Sequence, residues 1–378
     1  MTEQAVSQPV ARFENVKGYL SKHTNLVTFI VLALALAGLT DGASLSIDSI
    51  RNLAVAESIR AFAALGVGMI IITRGIDLSI GAVVCLVASV SASFAQNADY
   101  ASAIYPGVEF PLWLPIVAGI ATGAAFGLFN GVLVAYAKLP PFIATLGSMS
   151  VAFGCQLIYT KANVVGSLKE PFKAIGQGTT ASIPNLAIFV VIAALVVWFI
   201  LRHTRQGTNM YAIGGNPVAA RVSGINVTKE LILVYFYGGI LYGIAGVLLS
   251  SRLGLSNALT GRGMELDAIA AVTIGGVSQS GGIGTMSGMI LGVLTLGIIN
   301  YGMTYLGVDS YFQLLIKGFI IIIAVRSSGR IAGPSSDRFF RIVGVGVAGG
   351  LPLDGASQQI GGSGLVEAGQ IGIGSCTA

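Results

Sequence analysis

The stretch Ala187-Ile-Phe-Val-Val-Ile-Ala-Ala-Leu-Val-Val-Trp-Phe-Ile-Leu201 contains no charged residue, glycine or proline. Phe29–Leu39, interrupted only by Gly38, and Phe319–Val325 are further continuous apolar runs. A lipid-facing β-strand would alternate polar and apolar residues, and these runs are continuous. Lipid offers the backbone no hydrogen bonds, so a continuous apolar run in a bilayer must be helical. The composition agrees: of 378 residues 54% are hydrophobic and only 10% charged, with 52 glycines and 11 prolines. A soluble domain carries about 25% charged residues. Soluble enzyme, disordered chain and disulfide scaffold are all excluded on that ground, and collagen by the absence of a glycine triplet. The fold class is an all-α polytopic membrane protein. Its excess glycine suits close helix packing.

Each crossing needs about 20 mostly apolar residues. Ten stretches are candidates: 25–40, 53–73, 78–96, 112–136, 141–160, 184–201, 231–252, 266–279, 282–305 and 309–325. The eighth is short and glycine-rich, which suits a broken or re-entrant segment. Lys and Arg favour the cytoplasmic side. Placing Arg12, Lys17 and Lys22 inside also puts Arg74, Lys138, Arg202, Arg205, Arg221, Lys229, Arg326 and Arg330 inside. Lys161, Lys169 and Lys173 then fall outside and oppose the bias. Both termini are expected in the cytoplasm, with no cleavable signal peptide. The expected domains are a cytoplasmic segment at 1–24, a transmembrane domain at 25–325 and a disordered cytoplasmic tail at 326–378. A weakly amphipathic piece spans Phe339–Val347. Two of three cysteines, Cys85 and Cys155, sit in apolar runs and read as packing residues; the third is Cys376. No metal site and no intramembrane catalytic constellation is evident, since His23 and His203 both lie outside the runs.

The long inner loop, 202–230, is the most informative segment. Gly214-Gly215 permits a tight turn, Asn216 is a helix cap, and Pro217 suits the first helical position. A short helix over Pro217–Val222 is predicted, with Ser223 at its end and Gly224 stopping it. Its small residues Ala219 and Ala220 suit insertion into a partner's groove; an ordinary capped turn is the plainer reading. Thr73-Arg-Gly-Ile-Asp-Leu-Ser-Ile-Gly81, Glu265–Gly284 and Asn300–Gly318 are three further distinctive stretches.

Taken with the loop at 205–227, these stretches resemble, in order and spacing, the ribose/galactose-type membrane permeases of bacterial ABC importers. The resemblance covers roughly residues 25–325, and residues 298–318 are most similar to the galactose/methyl-galactoside branch. It implies an inner-membrane permease subunit working as a homodimer, with a separate ATP-binding subunit and a periplasmic sugar-binding protein. It further implies that the 202–230 loop docks on the ATPase. ATP-Mg would be bound by that partner; this chain has no G-x-x-x-x-G-K-[ST] and is expected to carry no cofactor and not to be an enzyme. Residues 326–378 do not resemble the family.

Polar residues inside a bilayer are costly and call for a reason. Lys317 reads either as a partner of Asp267 or as a lysine snorkelling to the interface. Asp77 reads as a brace of the inner gate or as a helix N-cap. Glu57 and Arg60 are spaced for an intrahelical pair. Asn130, Thr145, Asn300, Tyr301 and Gln313 are candidates to line a translocation path, or to make interhelical hydrogen bonds. The competing function is an ion-coupled secondary transporter of a small polar solute, which would need more intramembrane carboxylates than the chain has.

Overall fold

A computed structural model describes residues 24–331. Its helices are α1 (Thr24–Leu39), α2 (Ile47–Ile72), α3 (Ile80–Phe94), α4 (Trp113–Ala135), α5 (Pro141–Thr160) and α6 (Glu170–Gln177). A two-residue antiparallel pair, β1 (Thr179–Thr180) and β2 (Ile183–Pro184), leads into α7 (Asn185–His203). There follow α8 (Arg205–Gly215), α9 (Pro217–Val222), α10 (Val227–Leu253), α11 (Met264–Ile274), α12 (Met286–Tyr305) and α13 (Ser310–Ile331). The expected tail at 326–378 therefore begins too early: the last helix runs six residues past 325. The remainder of that tail, the Phe339–Val347 piece, Cys376 and the N-terminal segment before Thr24 lie outside the described residues.

Each of the ten apolar stretches contains a helix, but not all are long enough to cross a bilayer. Six are: α2, α4, α5, α7, α10 and α12. The apolar parts of α1, α3 and α13 are shorter. In the eighth stretch the helix is broken, in keeping with its short, glycine-rich sequence. The helix in 266–279 stops at Ile274, where Gly275 ends it and Gly276 turns left-handed at φ +85°. An eleven-residue helix rises about 16 Å, roughly half of a bilayer core. The segment before it folds in along α3: Ser256 meets the Ser89 hydroxyl at 3.0 Å, and Cys85 Sγ donates to Asn257 O at 3.4 Å. Cys85 is buried as expected, whereas Cys155 is exposed.

Two central helices, α4 and α10, pack backbone to backbone. Gly119, Gly123, Gly127 and Gly131 recur every four residues along one face of α4. A Cβ at Gly123 would overlap Gly239 O, and one at Gly127 would overlap Tyr235 O. In return, a Cβ at Gly243 would lie 2.9 Å from Ile120 Cα. This is the close approach that small residues allow between membrane helices. The core around it holds Phe62, Tyr235 and Tyr242, all fully buried.

The long loop at 161–183 is more ordered than its sequence suggests. Helix α6 buries Phe172 and docks on the end of α10, where Gly176 N donates to Ser251 Oγ at 2.7 Å and Ser251 Oγ donates to Phe172 O at 2.6 Å.

Candidate functional site

The predicted helix Pro217–Val222 is present as α9. Asn216 accepts from the Val218 and Ala219 amides at 3.0 and 3.1 Å, and Gly224 leaves the helix at φ +86°. Ser223 is its C-cap and donates its amide to Ala219 O. One part of the reading needs correction. Ala220 is 4% exposed and faces inward, onto Ile213 and Val227, so it does not insert into a partner. The outward face is Val218, Ala219, Arg221 and Val222, with Val218 72% and Val222 85% exposed.

Gly214-Gly215 is not a tight turn. It is the last turn of α8, a helix that sequence reasoning missed because Gly207, Thr208, Asn209 and the two glycines are poor helix formers. Thr204 caps it, accepting from Gly207 N at 3.2 Å. Tertiary contacts supply the rest. Asn209 Nδ2 donates to Glu230 Oε1 at 2.7 Å and Tyr237 OH to Gln206 Oε1 at 2.8 Å, both from α10. Tyr211 OH donates to Gly284 O at 2.8 Å. Gly214 sits so close to the end of α2 that a Cβ there would overlap Ile72 O.

The residue that joins these pieces is Arg74, which was not among the sequence candidates. Its Nε donates to Gly214 O and its Nη2 to Gly215 O, each at 2.7 Å. The backbone of Arg74 meanwhile terminates α2. Arg74 N donates to Ile71 O at 2.9 Å and Gly75 N to Ile70 O at 3.0 Å, the paired bonds of a helix end closed by a left-handed residue. Arg74 takes that conformation at φ +66°, where glycine is usual and a side chain costs about 1 kcal/mol. Gly282 N donates to Ile72 O at 2.8 Å, bringing the turn before α12 to the same point.

Beyond Arg74 the chain stays non-helical to Ser79, and this break gathers buried polar groups. Asp77 is fully buried. It is not the N-cap of α3: its Oδ1 accepts from Ser79 N at 2.9 Å and Ser79 Oγ at 2.6 Å, closing a small turn before the helix starts at Ile80. Asn130 Nδ2 on α4 donates to Ser79 Oγ at 2.9 Å. Tyr235 OH on α10 donates to Ile76 O at 3.1 Å. Thr145 on α5 is buried beside the break, with its Oγ1 donating to Pro141 O at 2.8 Å and lying 3.5 Å from Ile76 O. Two of the five path candidates, Asn130 and Thr145, thus meet at one place.

The other three do not join them. Tyr301 OH donates to Ser49 Oγ at 2.9 Å at the start of α2. Gln313 Nε2 donates to Val308 O at 2.9 Å within its own helix start. Asn300, on α12, makes no side-chain hydrogen bond through Oδ1 among the described residues.

Asp267 and Lys317 do pair, with Lys317 Nζ 3.3 Å from Asp267 Oδ2. The pair is part of a larger chain of charge. Arg60 Nε lies 3.3 Å from the same Asp267 oxygen, and Arg60 Nη1 also contacts Glu57. Four charged groups therefore tie α2, α11 and α13 together. The intrahelical Glu57–Arg60 pair expected from the spacing is one link of it.

A family model described as the permease component of the branched-chain amino acid transport system matches residues 49–325. The chain belongs to this family. The family's membership makes it a permease component rather than an enzyme, and a multi-pass inner-membrane protein. Among curated relatives, the galactose/methyl galactoside import permease protein of Haemophilus influenzae is 38% identical over 84% of this chain and 97% of its own length. The Escherichia coli protein of the same name is 39% identical over 82% and 96%. The ribose import permease protein of Escherichia coli is 36% identical over 86% and 98%. No solved structure matches the chain.

Proposed function

We propose that this chain is the membrane-spanning subunit of an ATP-driven importer of a simple sugar of the galactose/methyl-galactoside or ribose kind. Its relatives named for those sugars align over nearly their whole length. A sugar-binding protein outside the membrane delivers the substrate, and two permease copies form the pore. A separate ATPase supplies the energy, in keeping with the lack of a phosphate-binding loop in this sequence. The described helices run through ten membrane segments, α11 being a half-length one, with α8 and α9 on the cytoplasmic side and both chain ends there.

The observation that carries the coupling role is the outward face of α9. Val218 and Val222 are apolar and largely exposed on a short helix whose inner side is fixed by Ala220. Such a pair suits a pocket on another protein better than water. The ATPase docks there, and Gly214, Gly215, Asn216, Pro217, Ser223 and Gly224 shape and hold the docking helix. Asn130 and Thr145, at the break between α2 and α3, contribute polar groups to the sugar path, and Asn300, Tyr301 and Gln313 act from α12 and α13.

The test is reconstitution in liposomes. Uptake is expected only with the ATPase, the binding protein and ATP together, and an Ala219→Cys permease is expected to crosslink to the ATPase. Uptake by the purified chain alone, without ATP, would overturn the reading in favour of a secondary transporter. Competition between labelled galactose, methyl galactoside and ribose identifies the sugar.

A further inference from the structure

We infer that Arg74 is the positioning residue that carries movement of the docked α8–α9 unit to the break between α2 and α3. The inference rests on the proposed docking of α9 and names how that docking reaches the path.

Three features of Arg74 point the same way. Its side chain is exposed, yet it pairs with no carboxylate among the described residues. Instead both arms of its guanidinium hold the last carbonyls of α8, those of Gly214 and Gly215. A planar fork fixes direction as well as distance, which a lysine does not. Its backbone sits at a left-handed position where glycine would be unstrained. Backbone conformation alone would favour glycine there, and the two guanidinium hydrogen bonds offset that strain.

The place it holds is a junction. Within a few residues lie the end of α2, the end of α8 and the turn 278–284 that precedes α12. That turn is bound in by Gly282 N to Ile72 O and by Tyr211 OH to Gly284 O. A Cβ at Gly281 would overlap the Arg74 side chain. Three residues after Arg74 the break carries Asp77, then Ser79, which accepts from Asn130. A displacement of α8 along the fork therefore pulls on the break and on the polar groups of α4 and α5 gathered around it. Packed elements transmit such shifts as discrete steps.

The experiment uses the assembled importer. Arg74→Gly removes the fork and relieves the backbone, so the complex is expected to assemble, with a thermal midpoint lowered only by the amount by which the lost hydrogen bonds exceed the relieved strain. Sugar taken up per ATP hydrolysed is expected to fall about tenfold, within the range of measured coupling energies. Arg74→Lys, which retains the charge but not the paired geometry, is expected to recover part of the loss. Spin labels at Thr208 and Ser280 read the junction directly. In the parent their separation is expected to be the same with and without ATP; in Arg74→Gly it is expected to differ between the two states.

Unchanged transport per ATP in Arg74→Gly, or a label separation as constant as in the parent, would overturn the inference. If Arg74→Gly does not assemble, the structural role is the larger one, and Arg74→Lys at full coupling would overturn the inference as well. The docking reading fails separately: an Ala219→Cys permease that never crosslinks to the ATPase removes it, whatever Arg74 does.

Discussion

Arg74 and Gly214 are 140 residues apart in sequence, and the Arg74 Nε donates to the Gly214 carbonyl at 2.7 Å. One residue thus ends two helices, α2 with its backbone and α8 with its side chain. That contact ties the end of α8 to the end of α2, beside the contacts that α8 makes with α10 and with the turn before α12.

The outward face of α9, proposed above to dock the ATPase, should tolerate changes for folding and not for assembly. Val222 is 85% exposed, so Val222→Glu is expected to alter stability by no more than about 0.5 kcal/mol. A charge in the buried centre of an interface is disfavoured, so the ATPase should no longer co-purify with the permease. Thermal inactivation of the permease and recovery of the ATPase, measured on the same preparation, separate the two effects.

The cap of α9 should matter through its oxygen. Asn216→Ala removes the acceptor for the Val218 and Ala219 amides and is expected to cost about 1 kcal/mol locally. Those two amides should exchange hydrogen faster by a similar free energy. Asn216→Asp retains the acceptor and should exchange at the parental rate. Equal exchange in all three proteins would remove the cap from the account.

The charge chain has an expected order of sensitivity. Asp267 faces both Arg60 and Lys317, so Asp267→Asn leaves Lys317 without its carboxylate. Lys317→Met leaves Asp267 still paired with Arg60. Asp267→Asn is expected to destabilise by about 2 kcal/mol, between the exposed-pair and buried-pair limits, and Lys317→Met by less. The double variant should be more stable than Asp267→Asn alone. Thermal inactivation midpoints of the three variants decide the order.

Glycine positions in the helices should divide sharply. A Cβ at Gly127 would overlap Tyr235 O, whereas nothing lies within 4 Å of one at Gly147. Gly127→Ala is expected to cost about 3 kcal/mol or more, since backbone has to move. Gly147→Ala should be neutral, or stabilising by up to about 1 kcal/mol. The amount of folded protein recovered from membranes is the measurement.

How much of this was readable beforehand depended on range. Asn216, Pro217 and Gly224 announce α9 because caps act within a few residues. The helix before it is hidden, since Gly207 and Gly214-Gly215 argue against a helix and, beyond the Thr204 cap, partners such as Glu230 and Tyr237 on α10 hold it. Arg74 looked like one more basic residue of an inner loop, because nothing near it in sequence signals carbonyls 140 positions away. Asp77 was placed at the right helix start, but the turn it makes with Ser79 ends before the helix begins. The half-length of α11 is visible in the sequence: Gly275 and Gly276 mark the stop, and Ser278, Gln279, Ser280, Gly281 and Gly282 follow them. Asn130 and Thr145 were picked as polar residues in apolar runs, and only the fold shows that they converge where Asn300, Tyr301 and Gln313 do not.

The interlocked glycines of α4 and α10 set a boundary on how this molecule can change shape. Two main chains in direct touch have no side-chain cushion to shear, so sliding one past the other would drive carbonyls into α-carbons. The pair is expected to move as a single beam. Opening and closing are left to the pieces hung from that beam, the broken segment after α2 and the short α11.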